Sequence, residues 1–304
     1  MFKLKKILVC IDLTRMDEYV VKYAKLVATT MKSPDVYYIH INCPFELPSA
    51  VQEKYPELYG GNDEDLALRM EKTVSMFFPN YKEYGPHFIV RDGSPSDRIL
   101  DWSEVTKMDL MIMGKKSELK GKGVNPKKIV NISHCSVLFV PENPNYGLDK
   151  LFVPVDFSIR SKTAVEQALA IKKNNNAKIL LQHVYYVPHD YHFTGKTYEQ
   201  FEVIMRENSE EDLAKFISDN YPDEEFGAVN TWDDDDAPAD KIYIEATRQN
   251  ADLIILASRG RTKTASLLLG SVAIELIKYD EKIPYMVIKD KRENISFLRA
   301  LLKG

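Results

Sequence analysis

The chain repeats itself once, and this internal repeat limits its architecture more than any other feature of the sequence. KKILVCIDLT at 5–14 corresponds to DKLFVPVDFS at 149–158, and each apolar run ends in an aspartate, Asp12 or Asp156. Three further pairs of apolar segments follow in the same order, at 35–44 and 177–188, 109–114 and 252–257, and 136–142 and 284–290. A pattern that recurs in constant order predicts two copies of one domain.

Amphipathic helical patterns separate these apolar segments, as at 18–31 and 162–174. Near-continuous apolar strands that alternate with helices indicate a parallel sheet covered on both faces. We therefore predict two doubly wound parallel-sheet α/β domains in tandem, at 1–146 and 147–304. Both are of ordinary domain size. The segment PENPNYGLD at 141–149 is rich in turn residues and is the predicted linker.

Charge and composition exclude several classes of partner. The formal net charge of −4 provides no basic field, so DNA and RNA are not predicted partners. No apolar run reaches the roughly 18 residues that cross a bilayer, so a membrane is not predicted either. Cys10, Cys43 and Cys135 lack the spacing of a disulfide framework or a zinc site, which favours a cytoplasmic location.

The most informative stretch is DLIILASRGRTKTASLLLGSVAIELI at 252–277. Its pattern predicts a strand, a polar loop that contains glycine, and then a helix that starts at Gly270-Ser271. The first turn of a helix presents unpaired N–H groups, and glycines allow backbone amides to approach phosphate oxygens. Ser271 adds a hydroxyl donor. This arrangement predicts a phosphate-binding loop in the second half.

The same stretch resembles the universal stress protein family, whose ATP-binding members carry Gly, two residues, Gly, nine residues, and then Gly-Ser or Gly-Thr. Here Gly260 and Gly270-Ser271 match, whereas Ala257 replaces the first glycine. The resemblance implies an adenine nucleotide alpha-hydrolase-like fold. It places Asp156 and the backbone near Val184 at the adenine end of a nucleotide. Around ribose and phosphates it places Ala257, Ser258, Arg259, Gly260, Gly270, Ser271 and Val272.

The first half departs further from the family motif. Gly114 is present, but Ser117 stands at the second glycine position and Val124 replaces the hydroxyl residue. Gly123 follows nine positions after Gly114, against thirteen in the family pattern. A shorter loop without the hydroxyl donor predicts that this half is a structural copy that binds no nucleotide.

Two other polar clusters are weaker signals. His183, His189, Asp190 and His192 have loose spacing, and no metal site is predicted from them. The run Asp233 to Asp236 is interpreted as a solvated loop before a helix, although a divalent cation bridging it to phosphates is the alternative.

These patterns lead to one functional hypothesis and two alternatives. By resemblance, the chain is a cytoplasmic stress-response protein whose second half binds ATP, ADP or AMP, with Mg²⁺ as a further expected ligand of ATP. The main alternative is an interaction scaffold that binds no nucleotide. An enzyme is not predicted, because no catalytic arrangement recurs at the strand ends, and slow ATP hydrolysis ranks last. The two halves are expected to form an intrachain pseudo-dimer through their last strands, with homodimerisation left open.

Overall fold

In the computed structural model of the chain, residues 4–32, 35–43, 54, 62–116, 124–235, 237–258, 271–276, 279 and 282–289 are described. Two compact units are distinguished. One consists mainly of residues 3–146, and the other mainly of residues 147–279 and 283–288.

The N-terminal unit has five described strands in one parallel sheet, in the order β3-β2-β1-β4-β5. The strands are β1 (Lys6–Ile11), β2 (Asp35–Asn42), β3 (His87–Asp92), β4 (Leu110–Gly114) and β5 (Ser136–Val140). The described helices are α1 (Met16–Met31), α2 (Asp63–Phe77), α3 (Pro95–Val105) and α4 (Pro126–Ile132).

The C-terminal unit repeats this plan, with its described strands in the order β8-β7-β6-β9-β10, all parallel. The strands are β6 (Lys150–Pro154), β7 (Lys178–Tyr186), β8 (Gly227–Asp233), β9 (Leu253–Ala257) and β10 (Tyr285–Ile288). The described helices are α5 (Ile159–Asn175), α6 (Tyr198–Asn220), α7 (Pro238–Arg248) and α8 (Ser271–Leu276). The predicted parallel α/β fold of both halves is confirmed.

The strand order explains why both faces of each sheet are covered. The chain moves outward from β1 to β3 and then crosses to the opposite side of β1 for β4 and β5. With right-handed crossovers, this reversal places α1 and α2 on one face and α3 and α4 on the other. The contacts agree, because α1 packs on α2 and α3 packs on α4. Central strands are therefore apolar throughout, and Leu110, Met111, Ile112 and Met113 are all buried.

Local sequence signals account for where the helices begin. Proline occupies the first turn of α3, α4 and α7, where its missing N–H has no helical partner to lose. The side chain of Thr197 caps α6 and forms a reciprocal capping box with Gln200. Among the described helices, none combines the length and apolar character that crossing a membrane requires.

Candidate functional site

The candidate site lies at the carboxyl ends of β6, β7 and β9 in the C-terminal unit. The strand order reverses between β6 and β9, which pair in parallel through Leu151 and Leu253. Ligands of open α/β sheets bind at such a reversal, beyond the carboxyl ends of the strands. Asp156 follows β6, Val184 lies in the last part of β7, and Ala257 ends β9. The fold thus brings these predicted residues to one edge of the sheet.

The turn between β6 and α5 holds the carboxylate of Asp156 in a fixed orientation. Its Oδ1 accepts hydrogen bonds from the Ser158 amide, at 3.1 Å, and from the Ser161 hydroxyl. The Ser161 hydroxyl in turn accepts a hydrogen bond from the Asp156 amide at 3.0 Å. Phe157, between Asp156 and Ser158, adopts a left-handed backbone conformation with φ 62°. Such a conformation is unfavourable for a bulky residue, and the surrounding bonds hold it in place.

Aromatic side chains line the turn on its β7 side. The ring of Phe157 packs against His183, with 4.2 Å between centroids, and against Phe216 of α6 at 5.5 Å. His183 Nδ1 lies 2.8 Å from the carbonyl oxygen of Val155, and because a carbonyl only accepts, this nitrogen carries the proton. His183 therefore connects β7 to the end of β6, and its protonated Nδ1 is not a metal ligand.

Phe157, Ser158 and Ser161, which surround Asp156 in this turn, were not predicted as site residues from the sequence. The repeat contained a usable signal for the turn. His40 repeats the His183 contact in the N-terminal unit, with Nδ1 2.9 Å from the carbonyl oxygen of Ile11. A residue pair that recurs at the same place in both halves indicates a structural role in the strand-end turn.

The loop after β9 is described only in part. Ala257, Ser258 and Val272 are half-buried, and the described part of helix α8 spans Ser271–Leu276. The Ser258 amide donates to the carbonyl oxygen of Ile288 at 3.1 Å, so this N–H extends the sheet. Predicted contacts at Arg259, Gly260, Gly270 and the Ser271 side chain lie outside the described residues.

In the N-terminal unit, a lysine spans the equivalent strand ends. Lys116, just after β4, places its Nζ 2.5 Å from Asp12 Oδ2 at the end of β1. The hydroxyl and the amide of Thr14 donate to Asp12 Oδ1 at 2.6 and 3.1 Å. Burial alone would raise the pKa of Asp12, but the hydrogen bonds from Lys116 and Thr14 and the charge of Lys116 outweigh it, and the pKa is lowered. The ammonium group of Lys116 thus pairs with the carboxylate of Asp12.

Asp17 takes the place that Ser161 has in the second unit. Only 2% of Asp17 is exposed, and its carboxylate accepts the amides of Asp12, at 3.0 Å, and Leu13, at 2.8 Å. Burial raises the pKa of Asp17 to about 7, and the negative charge of Asp12 adds to the rise. The two amides act in the opposite direction. A carboxyl group with a raised pKa therefore supports the β1–α1 turn.

Gly114 at the end of β4 shows which way a side chain at this position would point. A Cβ built there would lie 2.5 Å from Met16 Cγ and 3.3 Å from Val20 Cγ2, both in α1.

We expect Gly114→Ala to lower the free energy of unfolding by about 1–3 kcal/mol through overpacking, as measured by urea denaturation. The double variant with Met16→Ala should show a favourable coupling energy. Full stability of Gly114→Ala alone would contradict this packing.

Comparisons with known proteins agree with the duplicated fold. The model of the universal stress protein family matches residues 3–141 and again residues 147–289. A universal stress protein of Methanocaldococcus jannaschii is 30% identical over 149 residues, which are 47% of this chain and 84% of that protein.

Two solved structures resemble the whole chain. A universal stress protein from Archaeoglobus fulgidus is 18% identical, with a TM-score of 0.59, over 95% of this chain and 97% of that one. A putative universal stress protein from Pseudomonas aeruginosa is 16% identical, with a TM-score of 0.63, over 99% of this chain and 98% of that one. At these identities, the likeness shows a shared fold.

A further solved universal stress protein is a complex with cAMP; it is 15% identical over 45% of this chain and 96% of that one, with a TM-score of 0.34. Because the family model matches twice, at 3–141 and 147–289, and so covers most of the sequence, the chain belongs to the universal stress protein family and carries two of its domains in tandem.

Proposed function

We propose that the C-terminal unit binds an adenine nucleotide, ATP, ADP or AMP, and that this binding is the sensing event of a stress-response protein. The observation that carries the proposal is the oriented carboxylate of Asp156 at the reversal of strand order. A carboxylate there can accept a hydrogen bond from the adenine amino group or from a ribose hydroxyl.

The phosphates are assigned to the loop that follows β9. Because the Ser258 amide already binds Ile288, we assign the phosphate contacts to Gly260, Gly270, Ser271 and Val272, with Arg259 as a cation beside them. Mg²⁺ would accompany ATP, since hard divalent cations prefer oxygen ligands. Hydrolysis of the nucleotide is not part of the proposal.

The methyl group of Ala257 fits this proposal. At the equivalent Gly114, a Cβ would point toward Met16 and Val20 of α1. In the repeat these two residues correspond to Arg160 and Ala164 of α5. The smaller Ala164 leaves more room than Val20, so we expect the Ala257 methyl to face α5 and to leave the nucleotide position open.

Titration calorimetry of the full chain with ATP, ADP and AMP, in the presence of Mg²⁺, tests the proposal. We expect saturable heat for at least one of the three nucleotides. Mass spectrometry of small molecules released on denaturing freshly purified protein provides a second readout. Folded protein that gives no heat with any of the three nucleotides would remove the proposal.

Replacing Asp156 with asparagine should weaken ATP binding by roughly 10- to 150-fold, since a hydrogen bond to a charged group contributes roughly 1.5–3 kcal/mol. Asparagine retains one oxygen for the Ser158 amide, so the β6–α5 turn should persist. The matched control is Asp12→Asn, at the equivalent position in the N-terminal unit, where the carboxylate forms an ion pair with Lys116. Equal weakening by both variants would contradict the assignment of the site to the C-terminal unit.

Exposed aromatic rings favour the alternative function, an interaction scaffold that binds no nucleotide. Phe193 is 80% exposed, Tyr186 61% and Trp232 37%, all in the C-terminal unit. Contiguous apolar surface marks many protein contact sites, so the scaffold function requires that such rings act together on a partner. Absence of nucleotide binding together with capture of a partner by these rings would support the scaffold.

We further propose that the protein acts in the cytoplasm. Cys10, Cys43 and Cys135 form no disulfide with one another, which suits a reducing compartment. The intrachain pseudo-dimer through the last strands and a homodimer both remain predictions, and analytical ultracentrifugation would test the second of them.

A further inference from the structure

A cavity of about 580 Å³ opens at the amino edge of the C-terminal sheet, opposite to the nucleotide edge proposed above. The starts of β6, β7 and β8 and the ends of α5 and α7 surround it. Among its apolar lining residues, Leu180 and Phe226 are half-buried, whereas Phe152 and Ile179 are buried beneath the surface. This volume lies within the range of small-molecule sites, roughly 300–1,000 Å³.

The N-terminal unit shows why this cavity exists. At the equivalent place, the rings of Tyr37 and His87 stack with 4.4 Å between centroids, and Lys6 Nζ lies 5.9 Å above Tyr37. The paired positions of β7 and β8 hold Leu180 and Gly227 instead. The second half therefore has a single leucine in place of the two rings of the first half, and Leu180 Cδ1 lies 2.6 Å from where a Cβ of Gly227 would be.

Lysines border the cavity at its polar side. Lys150 and Lys178 are directly paired across β6 and β7, so their side chains extend from the same face of the sheet. The equivalent pair in the first half is Lys6 and Asp35, which have opposite charges. Like charges directly opposite each other on neighbouring strands are unfavourable. An anion between Lys150 and Lys178 would remove this repulsion.

These two lysines are also available to a ligand. Neither ammonium group has a hydrogen-bond or ion-pair partner within the described part of the chain, whereas the nearby Lys172 binds Glu224 at 2.8 Å. The lining carries three lysines, Lys150, Lys172 and Lys178, against a single acidic side chain, Glu225. The cavity therefore joins an apolar wall to a cationic rim.

We propose that this cavity binds a small organic anion with an apolar body, such as a medium-chain monocarboxylate. The chain or ring of the ligand packs on Leu180 and Phe226, and its carboxylate lies between Lys150 and Lys178. Burial of apolar surface and charge-assisted hydrogen bonds act on different parts of one ligand. This site is independent of the nucleotide site, which lies at the other edge of the sheet.

Calorimetry of the full chain with octanoate tests the proposal, with 1-octanol and octylammonium as ligands that share the chain but lack the anion. We expect saturable binding of octanoate, binding of 1-octanol weaker by about tenfold, and no binding of octylammonium. Absence of octanoate binding at millimolar concentration, or equal binding of all three ligands, would overturn the proposal.

Two sets of variants locate the site. The double variant Lys150→Gln/Lys178→Gln should weaken octanoate at least tenfold, whereas Lys173→Gln, an exposed lysine of α5 outside the cavity, should leave it unchanged. The pair Leu180→Tyr and Gly227→His restores the rings of the first half and should abolish binding. Thermal unfolding confirms that each variant is folded, and full octanoate affinity in either folded double variant would refute the site.

Discussion

Replacing Gly270 with aspartate is expected to weaken ATP binding by at least about 100-fold, or roughly 2.7 kcal/mol. The proposed phosphate contacts come from backbone amides and the Ser271 hydroxyl, and a carboxylate at Gly270 would face the phosphates with like charge. Repulsion between close charges away from bulk water is large enough to produce this loss. The measurement is titration calorimetry with ATP and Mg²⁺.

The matched control for this variant is Gly123→Asp, at the glycine that closes the shorter loop of the N-terminal half. It adds the same charge to the half that is expected to bind no nucleotide, so ATP affinity should not change. If Gly270→Asp bound ATP as tightly as the unaltered protein, the loop after β9 would not hold the phosphates. The scaffold function would then be favoured.

The stability of the N-terminal unit is expected to fall between about pH 4 and pH 7 through the ionisation of Asp17. Its pKa is raised from an ordinary 3.8 to about 7, so the folded state keeps a proton that the unfolded chain has already released. Bound protons then favour the folded state at low pH, and this contribution of up to about 4 kcal/mol is lost as the pH rises through 7. Urea denaturation at a series of pH values measures it.

The charged groups around Asp17 set the limits of this effect. The Asp12 carboxylate adjoins it, and Lys116 pairs with Asp12, while the amides of Asp12 and Leu13 donate to Asp17 itself. The lowered pKa of Asp12 acts in the opposite sense, and only below about pH 4, where its stabilising charge is lost. The two effects therefore occupy separate pH ranges.

Asp17→Ser provides the test, because Ser161 accepts the equivalent amide in the second unit. We expect the variant to retain the β1–α1 turn and to lose most of the pH dependence between pH 4 and pH 7. A variant with the same pH dependence as the unaltered protein would show that Asp17 is not the titrating group.

Much of the fold could be predicted from the sequence, because the two halves of the chain can be aligned with each other. The apolar runs that end at Asp12 and Asp156 introduce strands and helices in the same order, so the parallel order of both halves could be predicted. A helix after Gly270 was likewise predicted, and the described helix α8 covers Ser271–Leu276. These features depend on periodicity and on residues with special backbone properties, which are local.

The surroundings of the site could not be predicted in the same way. The spacing of Asp12, Asp17 and Lys116 in the sequence does not show that these side chains lie together. Lys116 follows β4, and β4 reaches its place beside β1 only after the chain has passed through β2 and β3. The same applies to the cavity at the amino edge, where Leu180 and Gly227 become neighbours only when β7 and β8 pair.

The sequence by itself determined the duplication, the order of elements and the candidate nucleotide loop of the C-terminal half, because these are written in periodic and local patterns. Only the tertiary structure decided which charges meet and which spaces remain unfilled, as with the Asp12–Lys116 pair and the cavity beside Lys150 and Lys178. The physical reason is that electrostatic and packing energies depend on distances between residues far apart in the chain, and folding alone sets those distances.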